Sequence, residues 1–196
     1  RYAEAEAAYR RAFALFTVAN GTTHPRAAWL HLGVGLSMLG QGKPDAATVE
    51  LALAEEIVRT RLAPTHPLMA QIHSAQATAA RLGGDLARCR QLLERSLELD
   101  PPGNRLDRAE NQLRLAWREG RTGEARTWLA AANASLHDAE TAADEPIPAW
   151  RDLLSALIEG GPVPTTEVRA QAEALTARWG KGMLRSRELH WLLSAR

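Results

Sequence analysis

Several things are scarce in this chain, and each scarcity closes a door. Cysteine occurs once, as Cys89, so no internal disulfide can form and the usage suits a reducing compartment. Net charge is +1, because the arginines, which greatly outnumber the lysines, are matched by Asp and Glu. That balance gives no general attraction to nucleic acid or to anionic lipid. No apolar run approaches the roughly 20 residues that span a bilayer. The N-terminal residues lack the apolar stretch of a signal peptide. The expectation is a cytoplasmic protein that partners neither membrane nor nucleic acid. Strict polar/apolar alternation is missing throughout, so no strand is expected. Hydrophobic residues still make up 45%, enough to bury a core.

What is present is a repeat. Thr23-His24-Pro25 returns as Thr65-His66-Pro67, 42 residues on. A glycine turn follows each at the same distance, Gly42-Lys43-Pro44 and Gly84-Asp85-Leu86, and a third, Gly120-Arg121-Thr122, comes 36 residues later. The shortfall falls in the tight linker Asp100-Pro101-Pro102-Gly103-Asn104. After each glycine comes a small residue at +5, a large apolar one at +9 and a small one at +12. The three sets are Ala47, Leu51 and Ala54; Cys89, Leu93 and Ser96; Ala125, Leu129 and Ala132. Ala5, Tyr9 and Ala12 repeat the pattern at the start of the chain. Steps of four and three keep these residues on one helical stripe. Small residues on such a stripe let a second helix approach, while the large one fills the groove between turns.

The spacing predicts helices over 2–18, 25–39, 44–61, 67–82, 85–99, 104–119 and 122–136, with Thr23 as a cap and Pro25 in a first turn. Beyond them, 142–148 reads as a loop. Trp150, Leu153, Leu154 and Leu157 mark a helix over 149–158, 166–179 is its partner, and 184–193 is a last, short helix. The fold class is therefore all-α, an α-solenoid of antiparallel helix pairs. Residues 1–137 hold the repeats; 138–196 hold a degenerate pair and a C-terminal capping helix.

In its His24-Pro25 and His66-Pro67 pairs, its Gly42 to Ala47 and Gly84 to Cys89 turns and its alanine stripe, the sequence resembles the kinesin-light-chain type of tetratricopeptide repeat. The resemblance covers residues 1 to about 135. It implies a right-handed superhelix whose concave groove is lined by the first helix of each pair and binds a protein or peptide. In bacteria, repeats of this type commonly follow eukaryotic-like Ser/Thr kinase domains. The Ala-, Arg- and Leu-rich composition looks like that of a GC-rich bacterium. A C-terminal regulatory or sensor region of such a signalling enzyme is the alternative reading.

Counting back from each glycine gives the residues the groove would present. Trp29, Leu32, Leu36 and Leu39 are apolar. Gln71, Ser74, Thr78 and Arg81 are polar. Asp107, Asn111, Arg114, Trp117 and Arg118 add a basic, indole-bearing end suited to an acidic partner. Leu32 and Ser74 stand where the family's carboxylate-clamp residues would be polar, which argues against chaperone-tail binding.

No nucleotide-binding, metalloprotease, hydrolase or kinase motif occurs, so no catalytic residue is expected, and neither a cofactor nor a metal is. His24, His31, His66 and His73 form two i, i+7 pairs, which duplication explains without a metal. Cys89 fills the slot of Ala47 and Ala125, as a buried structural thiol does. Glu55-Glu56 and Asp144-Glu145 read as solvated faces. The first helix looks like the second half of a repeat, and no Met precedes it, so a longer parent chain is expected. Its apolar strip, Tyr2, Ala5, Tyr9, Ala12 and Phe13, invites a covering contact, including one between copies of the chain.

Overall fold

A computed structural model describes residues 2–99, 105–137, 155–156 and 166–179. The helices are α1 (Tyr2–Asn20), α2 (Ala27–Gly40), α3 (Pro44–Arg61), α4 (Pro67–Leu82), α5 (Leu86–Leu99), α6 (Arg105–Arg118), α7 (Thr122–His137) and α8 (Thr166–Trp179). The protein is all-helical, with no strand among the described residues. The expected loop 142–148, the helix at 184–193 and all of 149–158 except 155–156 lie outside the described residues. So do the linker 100–104, Asp144, Glu145 and His190.

Three turns of one construction set the helix pairs. Gly42, Gly84 and Gly120 have φ of 72°, 85° and 74°, the left-handed region open to a residue without Cβ. Each donates its N–H three residues back, to the carbonyls of Leu39, Arg81 and Trp117. The residue after each donates five back: Lys43 to Met38, Asp85 to Ala80, Arg121 to Ala116. This is the Schellman ending, which satisfies the last carbonyls of one helix while reversing the chain. The +5 residues Ala47, Cys89 and Ala125 then close the first turn of the next helix onto Lys43, Asp85 and Arg121. Such short connections make α2/α3, α4/α5 and α6/α7 antiparallel neighbours, and each pair packs closely.

The size stripe is the seam. Ala47, Leu51, Ala54, Cys89, Leu93, Ser96, Ala125, Leu129 and Ala132 are all buried. Burying a leucine such as Leu51 contributes roughly 1.5–3 kcal/mol. The copy in α1 differs: Ala5 is half-buried, Tyr9 and Ala12 are exposed, and no residue of α1 is fully buried. The reason is that α1 packs on α2 by pressing large rings onto glycines, Tyr9 onto Gly33 and Tyr2 onto Gly40.

The His-Pro motif does not begin α2 as its spacing suggests. Pro25 stands before the helix rather than in its first turn, and Thr23 is no cap; its Oγ1 accepts from Arg61 Nη2 at 3.2 Å. His24 Nδ1 instead accepts the N–H of Arg26, the residue before the helix, at 3.1 Å, and α2 begins without a side-chain cap. One repeat on, His66 Nδ1 accepts the N–H of Leu68 at 3.2 Å as the N-cap of α4, with Pro67 in the first turn. An imidazole two residues ahead satisfies one of the free donors at a helix start.

The chain forms two compact units, 1–104 and 105–196. In the first, each of α1 to α5 packs on its sequence neighbours, and α2 also touches α4. In the second, Leu113, Trp117 and Leu129 of α6 and α7 form a core with Val168 and Ala172 of α8. No described helix is long and apolar enough to cross a membrane.

Candidate functional site

The helix line that carries a candidate surface is narrower than the sequence suggests. On α2, ten residues are buried, and Leu30 and His31 are half-buried. Trp29 and Leu36 stand out, 49% and 48% exposed. Seven residues apart, they lie within about 20° of one another around the helix, two turns apart. Their equivalents 42 residues on are Gln71 and Thr78 of α4, both half-buried, with Thr78 Oγ1 donating to the Ser74 carbonyl at 3.2 Å. The four residues mark one line on each helix, an indole and a leucine on α2 and a carboxamide and a hydroxyl on α4.

The other sequence-named residues of this unit do not join that surface. Leu32, Leu39, Ser74 and Arg81 are buried. They stand three residues beyond Trp29, Leu36, Gln71 and Thr78, a line that turns inward because α2 packs on α4 as well as on its partner α3. In the second unit, Asn111, Arg114 and Trp117 are also buried. Trp117 belongs to the core with Leu113 and Val168, and Arg114 Nη2 pairs with Glu110 Oε2 at 2.7 Å within α6. A basic, indole-bearing end is therefore not displayed at 81, 114 and 117. Arg118 belongs to α6, but its side chain and that of Asp107 lie outside the described residues.

Glu55, read from sequence as part of a solvated face, is instead an interhelical tie. Its Oε2 accepts Gln76 Nε2 at 2.6 Å, and its Oε1 lies 3.9 Å from His73 Nε2. The neighbouring His73 imidazole first, and the Gln76 amide after it, hold this carboxylate down to about 2 against the cost of its partial burial. Glu56 does remain outside, paired with Arg59 along the exposed face of α3. Sequence spacing misses the tie because its members stand 18 and 21 residues apart on different helices.

The four histidines separate into two uses. His66 caps the start of α4, whereas His24 closes the turn before α2 and meets the Phe16 ring edge-on. His31 and His73 bridge helices through Glu50 and Glu55. Among the described residues no three or more His, Cys, Asp or Glu side chains converge as a metal set would. Cys89 is a buried free thiol on the α5 stripe. No protein-family model and no curated protein matches this chain.

Proposed function

We propose that the chain is a protein- or peptide-binding module, an α-solenoid of tetratricopeptide type, and that its working surface in the first unit is the α2–α4 line. One observation carries this reading. A helix enclosed on nearly every side leaves open two large apolar side chains, Trp29 and Leu36, aligned two turns apart. Indole side chains in such positions dominate binding energy in protein interfaces. Gln71 and Thr78 continue the line with groups that can bond a partner backbone. The partner is an extended or helical segment presenting apolar side chains about 10 Å apart, the rise of seven helical residues. An acidic partner has no support from Arg81 or Arg114, which are buried. The repeated turns and the small-large-small seam support the tetratricopeptide assignment.

Peptide display against the full 196-residue chain, followed by calorimetry on the selected peptides, tests the reading. Selected peptides should carry paired apolar anchors. The double variant Trp29→Ser/Leu36→Ser should bind them at least tenfold more weakly while melting at the parent temperature. Selected peptides that bind parent and variant alike would remove the α2 line as the site.

A further inference from the structure

On the opposite side of α2 a second feature is built. His31 lies about 200° around the helix from Trp29 at 100° per residue. It lines a cleft of about 270 Å³ between α1 and α3, floored by α2. Phe13, Leu30, Val34 and Leu53 make its walls apolar. His31 and Glu50 are its polar residues, with Arg10 alongside.

These polar groups are fixed in series. Glu50 Oε2 lies 2.8 Å from His31 Nδ1, and Glu50 Oε1 lies 3.1 Å from Arg10 Nη1. Arg10 Nε donates to Glu6 Oε1 at 2.9 Å, and Glu6 Oε2 accepts from Gln41 Nε2 at 2.7 Å. The Phe13 ring packs on the imidazole with centroids 4.6 Å apart. An ionised carboxylate only accepts hydrogen bonds, so the proton of a neutral His31 sits on Nδ1. Nε2 is then a lone-pair acceptor, and it has no partner among the described residues. The ring is held by a carboxylate on one side and a tilted phenyl ring beside it, which fixes both tautomer and orientation.

Duplication does not account for this set. Forty-two residues on, His31 corresponds to His73, but Phe13 becomes Glu55, Glu50 becomes Leu92 and Val34 becomes Gln76. The second imidazole is buried and tied to Glu55 instead. The copied residue is the histidine; the apolar wall and the Glu50–Arg10 support belong to the first copy alone.

We propose that the cleft between α1 and α3 binds a small single-ring aromatic molecule of the phenol class, its ring among Phe13, Leu30, Val34 and Leu53 and its hydroxyl donating to His31 Nε2. The volume lies below the roughly 300–1,000 Å³ of drug-sized sites and suits one ring. The walls supply apolar contact, and one placed acceptor supplies orientation. A site that hydrogen-bonds a ligand hydroxyl discriminates against the analogue that lacks the donor, because the bound analogue leaves the acceptor unpaired. This site is independent of the α2–α4 surface, from which it is separated by the body of α2.

The test titrates the full chain with 4-methylphenol and with 4-methylanisole, which has the same ring and no donor, following backbone and imidazole NMR resonances. In the parent, 4-methylphenol should bind at least tenfold more tightly and shift resonances at 13, 31 and 50. His31→Leu should equalise the two ligands. Leu53→Trp, at a half-exposed position, should block both by filling the cleft. Trp29→Ser/Leu36→Ser should leave 4-methylphenol binding unchanged, so failure of the peptide surface and failure of the cleft read out separately. Equal binding of the two ligands to the parent, or shifts confined to residues around His73, would overturn the proposal, and this comparison holds even if His31→Leu does not fold.

Discussion

Tyr9 lies flat against Gly33: a Cβ built at position 33 would stand 2.5 Å from Cε1 of the Tyr9 ring. Gly40 has the same relation to Tyr2, at 2.4 Å from Cδ1. Two glycines one heptad apart on α2 thus receive two tyrosines one heptad apart on α1. Neither glycine has positive φ, so proximity, not backbone conformation, demands them. Gly33→Ala should destabilise by about 1–3 kcal/mol through overpacking, more than offsetting the helix propensity that alanine adds. Tyr9→Ala in the same chain should recover part of the loss. Urea melts of the two single variants and the double give the coupling; a Gly33→Ala variant as stable as the parent would mean that α1 does not sit on α2 in this way.

Gly84 and Gly123 separate conformation from contact. At both positions a Cβ would meet nothing within 4 Å. Gly84 has φ of 85° and ends α4, whereas Gly123 sits in the first turn of α7 with ordinary φ. Gly84→Ala should therefore cost about 1 kcal/mol, and Gly123→Ala should stabilise by about 0.4–1 kcal/mol through the unfolded chain. Opposite shifts in thermal midpoint are the expected result. Like shifts would show that the turn at Gly84 does not require a left-handed residue.

The seam alanines answer to volume. Ala54 and Ala132 are buried at the same position of their repeats, where Ser96 donates its hydroxyl to the Ala70 carbonyl at 2.9 Å. Ala54→Leu and Ala132→Leu should each destabilise by about 1–3 kcal/mol. Thermal melts matching the parent for both would mean that these positions do not meet a neighbouring helix. Ala54→Ser should be better tolerated, since the same position on α5 already accommodates a hydroxyl.

These positions were legible because size, glycine and period are written in the sequence itself. The three turns and the bounds of α3, α4 and α8 follow from Gly42, Gly84, Gly120, Pro44, Pro67 and Thr166. What depends on a third helix was not legible. The sequence offers Leu32, Ser74 and Arg81 as freely as Trp29 and Leu36; the contact of α2 with α4 decides between them. The Tyr9–Gly33 fit and the Glu50–His31 and Glu55–Gln76 ties join residues 19 to 24 positions apart across helices, where no local period points. Pro25 and Pro67 occupy identical motifs, yet α2 starts two residues later relative to its motif than α4, because His24 and Arg26 complete an extra turn before it.

The Glu55 tie carries a signature in acid. His73 and then Gln76 lower this carboxylate from an ordinary 4.5 to about 2. A folded-state value below the unfolded one stabilises wherever the unfolded chain keeps the group ionised, above about pH 4.5, and the contribution is lost as pH falls toward 2. A tenfold change in proton affinity corresponds to about 1.4 kcal/mol, but the side chain is 35% exposed and water screens the interaction, leaving about 1–2 kcal/mol. Glu55→Gln preserves shape and an acceptor for Gln76 while removing the charge. Urea midpoints of parent and variant should differ at about pH 6 and converge as pH approaches about 2.5. A gap that stays constant over that range would show that the stabilisation does not come from ionisation of Glu55, and an absence of any gap at the upper end would dismiss the charge of this tie as a source of stability.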